Sequence, residues 1–249
     1  MIAFFKTILF IPLYNLLVAL TSILPGADLG LAIIILTILV KIVIFPLYKT
    51  SVLTQIKMKA LEPKLKELKT KYKDNLPEQS RQTMELYKTE KINPFSSILV
   101  MLIQIPIIIS LFYVFKDSVV VQKDLLYSFV GAPGQLNTIF LGLINLTASH
   151  NYLLAFLSGA TLYWQVSLSM PKRTPKKSLG EGQTFGEDFA KSMDLQMRYM
   201  MPVLTAVITF TLPAALGLYW VTSNIFSAIY ELLVIKKLRA EHEVKTSPV

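Results

Sequence analysis

Residues 29–48 read LGLAIIILTILVKIVIFPLY, about 20 residues that are apolar except for Thr37 and Lys41. A helix rises about 1.5 Å per residue, so this run spans a hydrocarbon core about 30 Å thick. A chain carrying it folds in a bilayer. A lysine inside such a span costs roughly 2.5–3.5 kcal/mol by insertion scales, so it faces protein or water in preference to lipid. Thr37 and Lys41, four apart, share a helical face, and Tyr48 continues it. Two readings of Lys41 compete. Its stem can snorkel to an interface about 10 Å away, or its ammonium is a fixed charge in a wet, membrane-embedded cavity.

The rest of the composition agrees with a polytopic membrane protein. Of 249 residues 53% are hydrophobic and only 16% are charged, against about 25% charged in soluble domains. With no cysteine, disulfides, thiolate metal sites and cysteine nucleophiles are excluded. The net charge of +9 is informative through its distribution.

Residues 1–24 are apolar but interrupted by Lys6, Pro12 and Asn15. A signal peptide, an extra span and a helix lying in the interface all fit, although the Ala19-Leu20-Thr21 cleavage site is poor. Pro25-Gly26-Ala27-Asp28 then makes a turn. From 28 the expected order is span 1 (28–48), a charged helical hairpin (49–93) and span 2 (94–116). An outer loop (117–150) with a short helix follows, then span 3 (151–170), a polar loop (171–197), spans 4 and 5 (198–235) and a tail (236–249). In the hairpin, Leu61, Leu65, Leu68 and Tyr72 recur at helical spacing among charges. Asp74-Asn75-Leu76-Pro77 breaks it, and Pro77 suits the first turn of a returning helix. Residues 198–235 are too long for one span, so Pro213 and Gly217 mark a break with almost no outer loop.

Basic residues set the orientation. Twenty-one of the 25 Lys and Arg fall in the hairpin, the polar loop together with Arg198, and the tail. The positive-inside rule assigns those three segments to the cytoplasm and the start of span 1 to the outside.

Each span carries a polar group: Thr37 and Lys41, Gln104, Gln165, Thr205 and Thr209, and Asn224. Ser158, Thr161, Gln165 and Ser169 form a stripe along span 3, and such stripes face a bundle interior. Inter-helix hydrogen bonding explains any one of them. All five spans being marked around one cation favours a hydrated concavity. Enzyme chemistry finds no support. His150 and His242 are the only histidines, no HExxH or phosphate loop is present, and no paired carboxylates lie at membrane depth. A channel or small-solute transporter is the alternative from another class, although coupled transporters show internal repeats and intramembrane acids. A structural assembly factor is a third reading.

Four strings together carry a resemblance: LTILVKIVIFPLYKTS, KMKALEPKLKELKTKYKDN, INPFSSILVMLIQIPIIISLFYVF and MPVLTAVITFTLPAALGLYWVTSNIFSAIYELL. In that order they resemble the YidC-type membrane protein insertases of bacteria and their relatives in mitochondria, chloroplasts and archaea. The resemblance implies an all-α polytopic membrane protein of the cell (plasma) membrane. Five transmembrane helices surround a polar groove, with a cytoplasmic helical hairpin and, over residues 1–27, an interfacial helix on the outer side. It implies a non-enzymatic chaperone, without cofactor or metal, that takes nascent membrane proteins into the groove and releases their hydrophobic segments into lipid. Lys41 matches the family's intramembrane arginine; it keeps the charge and loses bidentate carboxylate recognition. By motif position Thr37, Gln104, Gln165 and Trp220 match the groove lining, and Asn224 and Tyr219 complete the expected set. Ala215 stands where the family often has glycine. The basic hairpin, loop and tail would meet a ribosome, a targeting receptor, a Sec translocon or anionic lipid through phosphate attraction; no base-reading motif suggests DNA.

Overall fold

The computed structural model describes residues 6–90, 92–93, 96–117, 122–131, 136–169 and 195–235. The polar loop's basic cluster and the C-terminal tail lie outside the described residues. The chain divides into two compact units, residues 1–42 with 107–232 and residues 43–106 with 233–249.

Helices occupy all five expected spans. They are α2 (Leu29–Ala60), α5 (Ser96–Asp117), α6 (Tyr152–Ser169), α7 (Met201–Thr211) and α8 (Ala214–Tyr230). Ahead of them α1 (Ile11–Ile23) continues a π-helical turn, Lys6–Phe10. By length and composition Lys6–Ile23, Leu29–Thr54 and Ala214–Ile235 are each long and apolar enough to cross a membrane. The helix of span 1 does not stop at residue 48; it runs on to Ala60 through Pro46. Pro46 removes one intrahelical bond, and the residues beyond it are mostly good helix formers that carry the helix onward.

Pro12 and Asn15, which interrupt the apolar run, lie within one continuous helix. Pro12 falls in the first turn of α1 directly after a π turn, and Pro202 falls likewise in α7 after the π turn Gln196–Met200. A wider turn just before a proline relieves the lost N–H and the ring's clash with the preceding turn. Asn15 is buried and works as a tie. Its side chain donates to Ile11 O (2.9 Å) and Leu125 O (2.8 Å) and accepts from Tyr127 N (2.7 Å). The Tyr14 hydroxyl accepts from Gln122 N at 2.8 Å. The first helix is thereby fastened to the loop 117–150.

That loop departs from expectation. Among its described residues there is no α-helix but a 3-10 turn, Lys123–Leu125, and an antiparallel pair, β1 (Ile139–Phe140) with β2 (Ile144–Asn145). Between the two strands Leu141 and Gly142 take positive φ (52° and 71°) and reverse the chain before a helical turn can close. The loop's backbone serves helix ends. Leu29 N donates to Asn137 O (3.0 Å), and Asn137 N donates to Ala27 O (3.1 Å). Ala214 N and Ala215 N donate to Ala148 O and Leu146 O, both at 2.9 Å. Orphan N–H groups at the starts of α2 and α8 are satisfied in this way. Ala215, where glycine was expected, is buried with its N–H bound.

The α7–α8 break lies at Leu212 and Pro213, both extended. Gly217, expected to share the break, sits inside α8 at a close helix contact.

In the other unit, α3 (Glu62–Lys71) and α4 (Leu76–Thr89) are the two arms of the expected hairpin. Asn75 caps α4 by accepting from Glu78 N at 3.1 Å, with Pro77 in the first turn, and Lys64 reaches Glu90 across the arms at 2.9 Å. Leu65, Leu68 and Tyr72 of the stripe are half-buried. Between the arms lies a cleft of about 460 Å³ lined by Leu68, Leu86 and charged neighbours.

Candidate functional site

The site is built where α6, α7 and α8 pack together. Two glycines allow the approach. A Cβ on Gly159 of α6 would stand 2.9 Å from Pro202 O and 3.1 Å from Ala206 Cβ. One on Gly217 of α8 would stand 2.7 Å from Thr209 Cγ2 and 3.0 Å from Leu154 Cβ. Small residues at crossings bring membrane helices close enough for dispersion and interhelical hydrogen bonds to hold them.

A polar seam runs through this contact. The Asn224 amide of α8 donates to Ser158 O and to Thr161 Oγ1, both at 3.2 Å and both on α6. Thr161 sends its own proton back to Leu157 O at 2.7 Å. Ser158 Oγ lies 2.9 Å from Thr209 Oγ1 on α7, which donates in turn to Thr205 O at 2.7 Å. Ser158, Thr209 and Asn224 are all buried, and the seam matches donors to acceptors in the low-dielectric interior. Gln165, lower on the α6 stripe, donates to Ser169 Oγ at 3.2 Å.

Lys41 joins α2 to α8 in the same unit. Its half-buried ammonium donates to Ser227 Oγ at 3.3 Å, and Ser227 passes its proton to Ser223 O at 2.8 Å. A serine hydroxyl solvates the ammonium without neutralising it. Among the described residues no carboxylate pairs with Lys41. Glu231, one helical turn beyond Ser227 on α8, is buried. Its place is the C-terminal end of the last span, just past α8.

The remaining expected site residues are distributed. Thr37, one turn before Lys41, is buried and donates to Ile33 O at 2.6 Å, within its own helix. Tyr219 is buried and Trp220 is half-buried on α8. Gln104 is half-buried in α5 and belongs to the other unit. Ser110 and Ser167, both on spans, have buried hydroxyls without a hydrogen-bond partner among the described residues. The seam thus brings Asn224 together with Ser158, Thr161 and Thr209, and Lys41 together with Ser227. Among the described residues no group of three or more acids and histidines could hold a metal ion.

Apolar helices tied by buried amides and hydroxyls, with a lysine ammonium at span depth, define an all-α polytopic membrane protein with a polar interior. Residues 19–241 match the family described as 60Kd inner membrane protein, and the chain belongs to that family, the YidC-type membrane proteins. Relatives named membrane protein insertase YidC include that of Neisseria gonorrhoeae (strain NCCP11945), 34% identical over 220 residues, covering 86% of this chain and 35% of the relative. The Francisella philomiragia protein is 30% identical over 214 residues, covering 86% and 34%. That of Marinobacter nauticus is 32% identical over 212 residues, covering 85% and 32%. The chain spans about a third of the length of these relatives. A solved structure, described as an active YidC insertase with the first transmembrane domain resolved, aligns with a TM-score of 0.54 at 22% identity. The alignment covers 93% of this chain and 46% of that one, and it establishes the shared fold.

Proposed function

We propose that this chain is a membrane protein insertase, a non-enzymatic chaperone that receives nascent membrane proteins in a polar groove and releases their hydrophobic segments into lipid. The observation that carries the reading is Lys41, a cation at span depth whose hydrogen-bond partner is a neutral hydroxyl. An ammonium so placed retains its charge for an incoming carboxylate. A polar tail crossing a bilayer must shed water, and each unsatisfied backbone group in hydrocarbon costs several kcal/mol. A hydrated groove part-way across shortens the dry path, and the charge draws acids in the tail inward.

In this reading Lys41, Thr37, Gln165, Asn224, Trp220 and Tyr219 line or support the groove, and the protein is a multi-pass protein of the plasma membrane. The hairpin, polar loop and tail face the cytoplasm and offer basic docking surface to a ribosome, a targeting receptor or a Sec translocon. Residues 1–27 lie along the outer interface. The ties from Tyr14 and Asn15 to the loop 117–150 support that placement, because they hold the middle of the helix against a loop at the outer ends of the spans.

The test uses sealed vesicles containing only this protein and a single-span substrate with an acidic outgoing tail. With wild type, the tail becomes protected from added protease; with Lys41→Ala, protection falls toward that of empty vesicles. Equal protection by both would return Lys41 to a snorkelling role. Movement of ions or small solutes without insertion would replace the reading with a channel or transporter.

A further inference from the structure

We propose that the tip of the β1–β2 hairpin is a lipid-docking surface seated in the headgroup–acyl boundary of the leaflet where α2 and α8 begin. The proposal rests on the reading that these helices span a bilayer. Leu143 is 85% exposed and Leu141 68%, and Ile139 is exposed beside them. In water these would be exposed apolar side chains, the kind of surface that marks an interaction site.

Three observations favour lipid over a soluble partner. The hairpin is fixed at the helix ends by the Asn137 bonds to Ala27 and Leu29 and by Phe140, whose ring fills the space where a side chain on Gly30 would be. Its tip is therefore held close to the starts of α2 and α8. Residues 136–149 contain no Lys, Arg, Asp or Glu, so no charge needs to be desolvated. The turn also closes its own backbone. Leu143 N donates to Phe140 O (3.1 Å) and Leu146 N to Thr138 O (2.9 Å), as a segment entering low dielectric requires. The turn places Leu141, at φ 52°, where Asn or Gly would fit with less strain. An apolar side chain at that position is a choice for what it touches.

The absence of cysteine makes the test direct. A single nitroxide at Leu143→Cys, in the full chain in liposomes, is compared with Lys73→Cys as the aqueous reference. Val207→Cys, an exposed apolar position on α7, is the lipid reference. The ratio of oxygen accessibility to that of a neutral nickel chelate at Leu143→Cys should lie severalfold above Lys73→Cys and below Val207→Cys. A ratio equal to that of Lys73→Cys would overturn the proposal and leave the spanning reading intact. So would low accessibility to both reagents with spin–spin broadening, which would mean that a second copy covers the tip. A water-like ratio at Val207→Cys would overturn the spanning reading and the proposal with it.

Discussion

At the scale of single residues, the glycines carry the tightest constraint. Gly159 faces the backbone carbonyl of Pro202, so a methyl group there can be accommodated only by moving one helix relative to another. Gly159→Ala should lower stability by about 1–3 kcal/mol, the usual cost of overpacking. Thermal unfolding in detergent micelles checks this, with Gly131→Ala as the control, since a Cβ there meets nothing within 4 Å. The two kinds of residue at this contact differ in how legible they are. Ser158, Thr161, Thr209 and Asn224 announce themselves as polar groups in apolar runs, where an unpaired hydroxyl or amide is costly. Gly159 and Gly217 do not, because their roles are set by groups on other helices, Pro202 in one case and Thr209 and Leu154 in the other. The burial of Glu231 is likewise created by packing and is not visible in spacing.

Among the elements, the hairpin has an electrostatic prediction of its own. Hydrogen bonds from Arg81 and Gln82, with the Arg81 charge, hold the Glu78 carboxyl down at about 2, against 4.5 ordinarily. Arg81 donates to both carboxylate oxygens, at 2.9 and 2.7 Å, and Gln82 donates at 2.9 Å. A carboxyl depressed by folding stabilises the fold above its unfolded value, and that contribution is lost as pH falls through its folded value. The acid-sensitive window at the start of α4 therefore runs from about 4.5 down to about 2. Carboxyl-carbon NMR of the full chain should show Glu78 titrating well below its neighbours, and Glu78→Gln should flatten the α4 signals across that window. The start of α4 was readable from Asp74-Asn75-Leu76-Pro77, because a helix break and a first-turn proline are local chemistry. The β1–β2 pair was not readable, since Ile139, Phe140, Leu141, Leu143 and Ile144 make a continuous apolar run that fits helix and strand alike. Only the positive φ at its turn, fixed by ties to Asn137 and Phe140, decides between them.

For the whole molecule, the proposed insertase reading turns on whether one cation among apolar helices selects the substrate. At about 4 Å two unit charges interact by about 4 kcal/mol at an effective dielectric near 20, and by about 1 kcal/mol in bulk water. A cation in a groove shielded by spans is therefore worth more to an acidic tail than a surface lysine, and its sign should matter as much as its presence. Lys41→Glu tests the sign. Ser227 can reverse its role and donate to the new carboxylate, so the substituted side chain keeps a hydrogen-bond partner on α8. Insertion of a substrate with an acidic outgoing tail should fall below that of Lys41→Ala, because attraction becomes repulsion. Insertion of the same span with a basic tail should rise above that of Lys41→Ala. Protease protection in vesicles, measured for both substrates across wild type and the two variants, gives the crossed pattern if the groove reads charge. If Lys41→Glu and Lys41→Ala behave alike on both tails, the groove acts through its water and its polar seam, and the lysine serves only to hold α2 against Ser227.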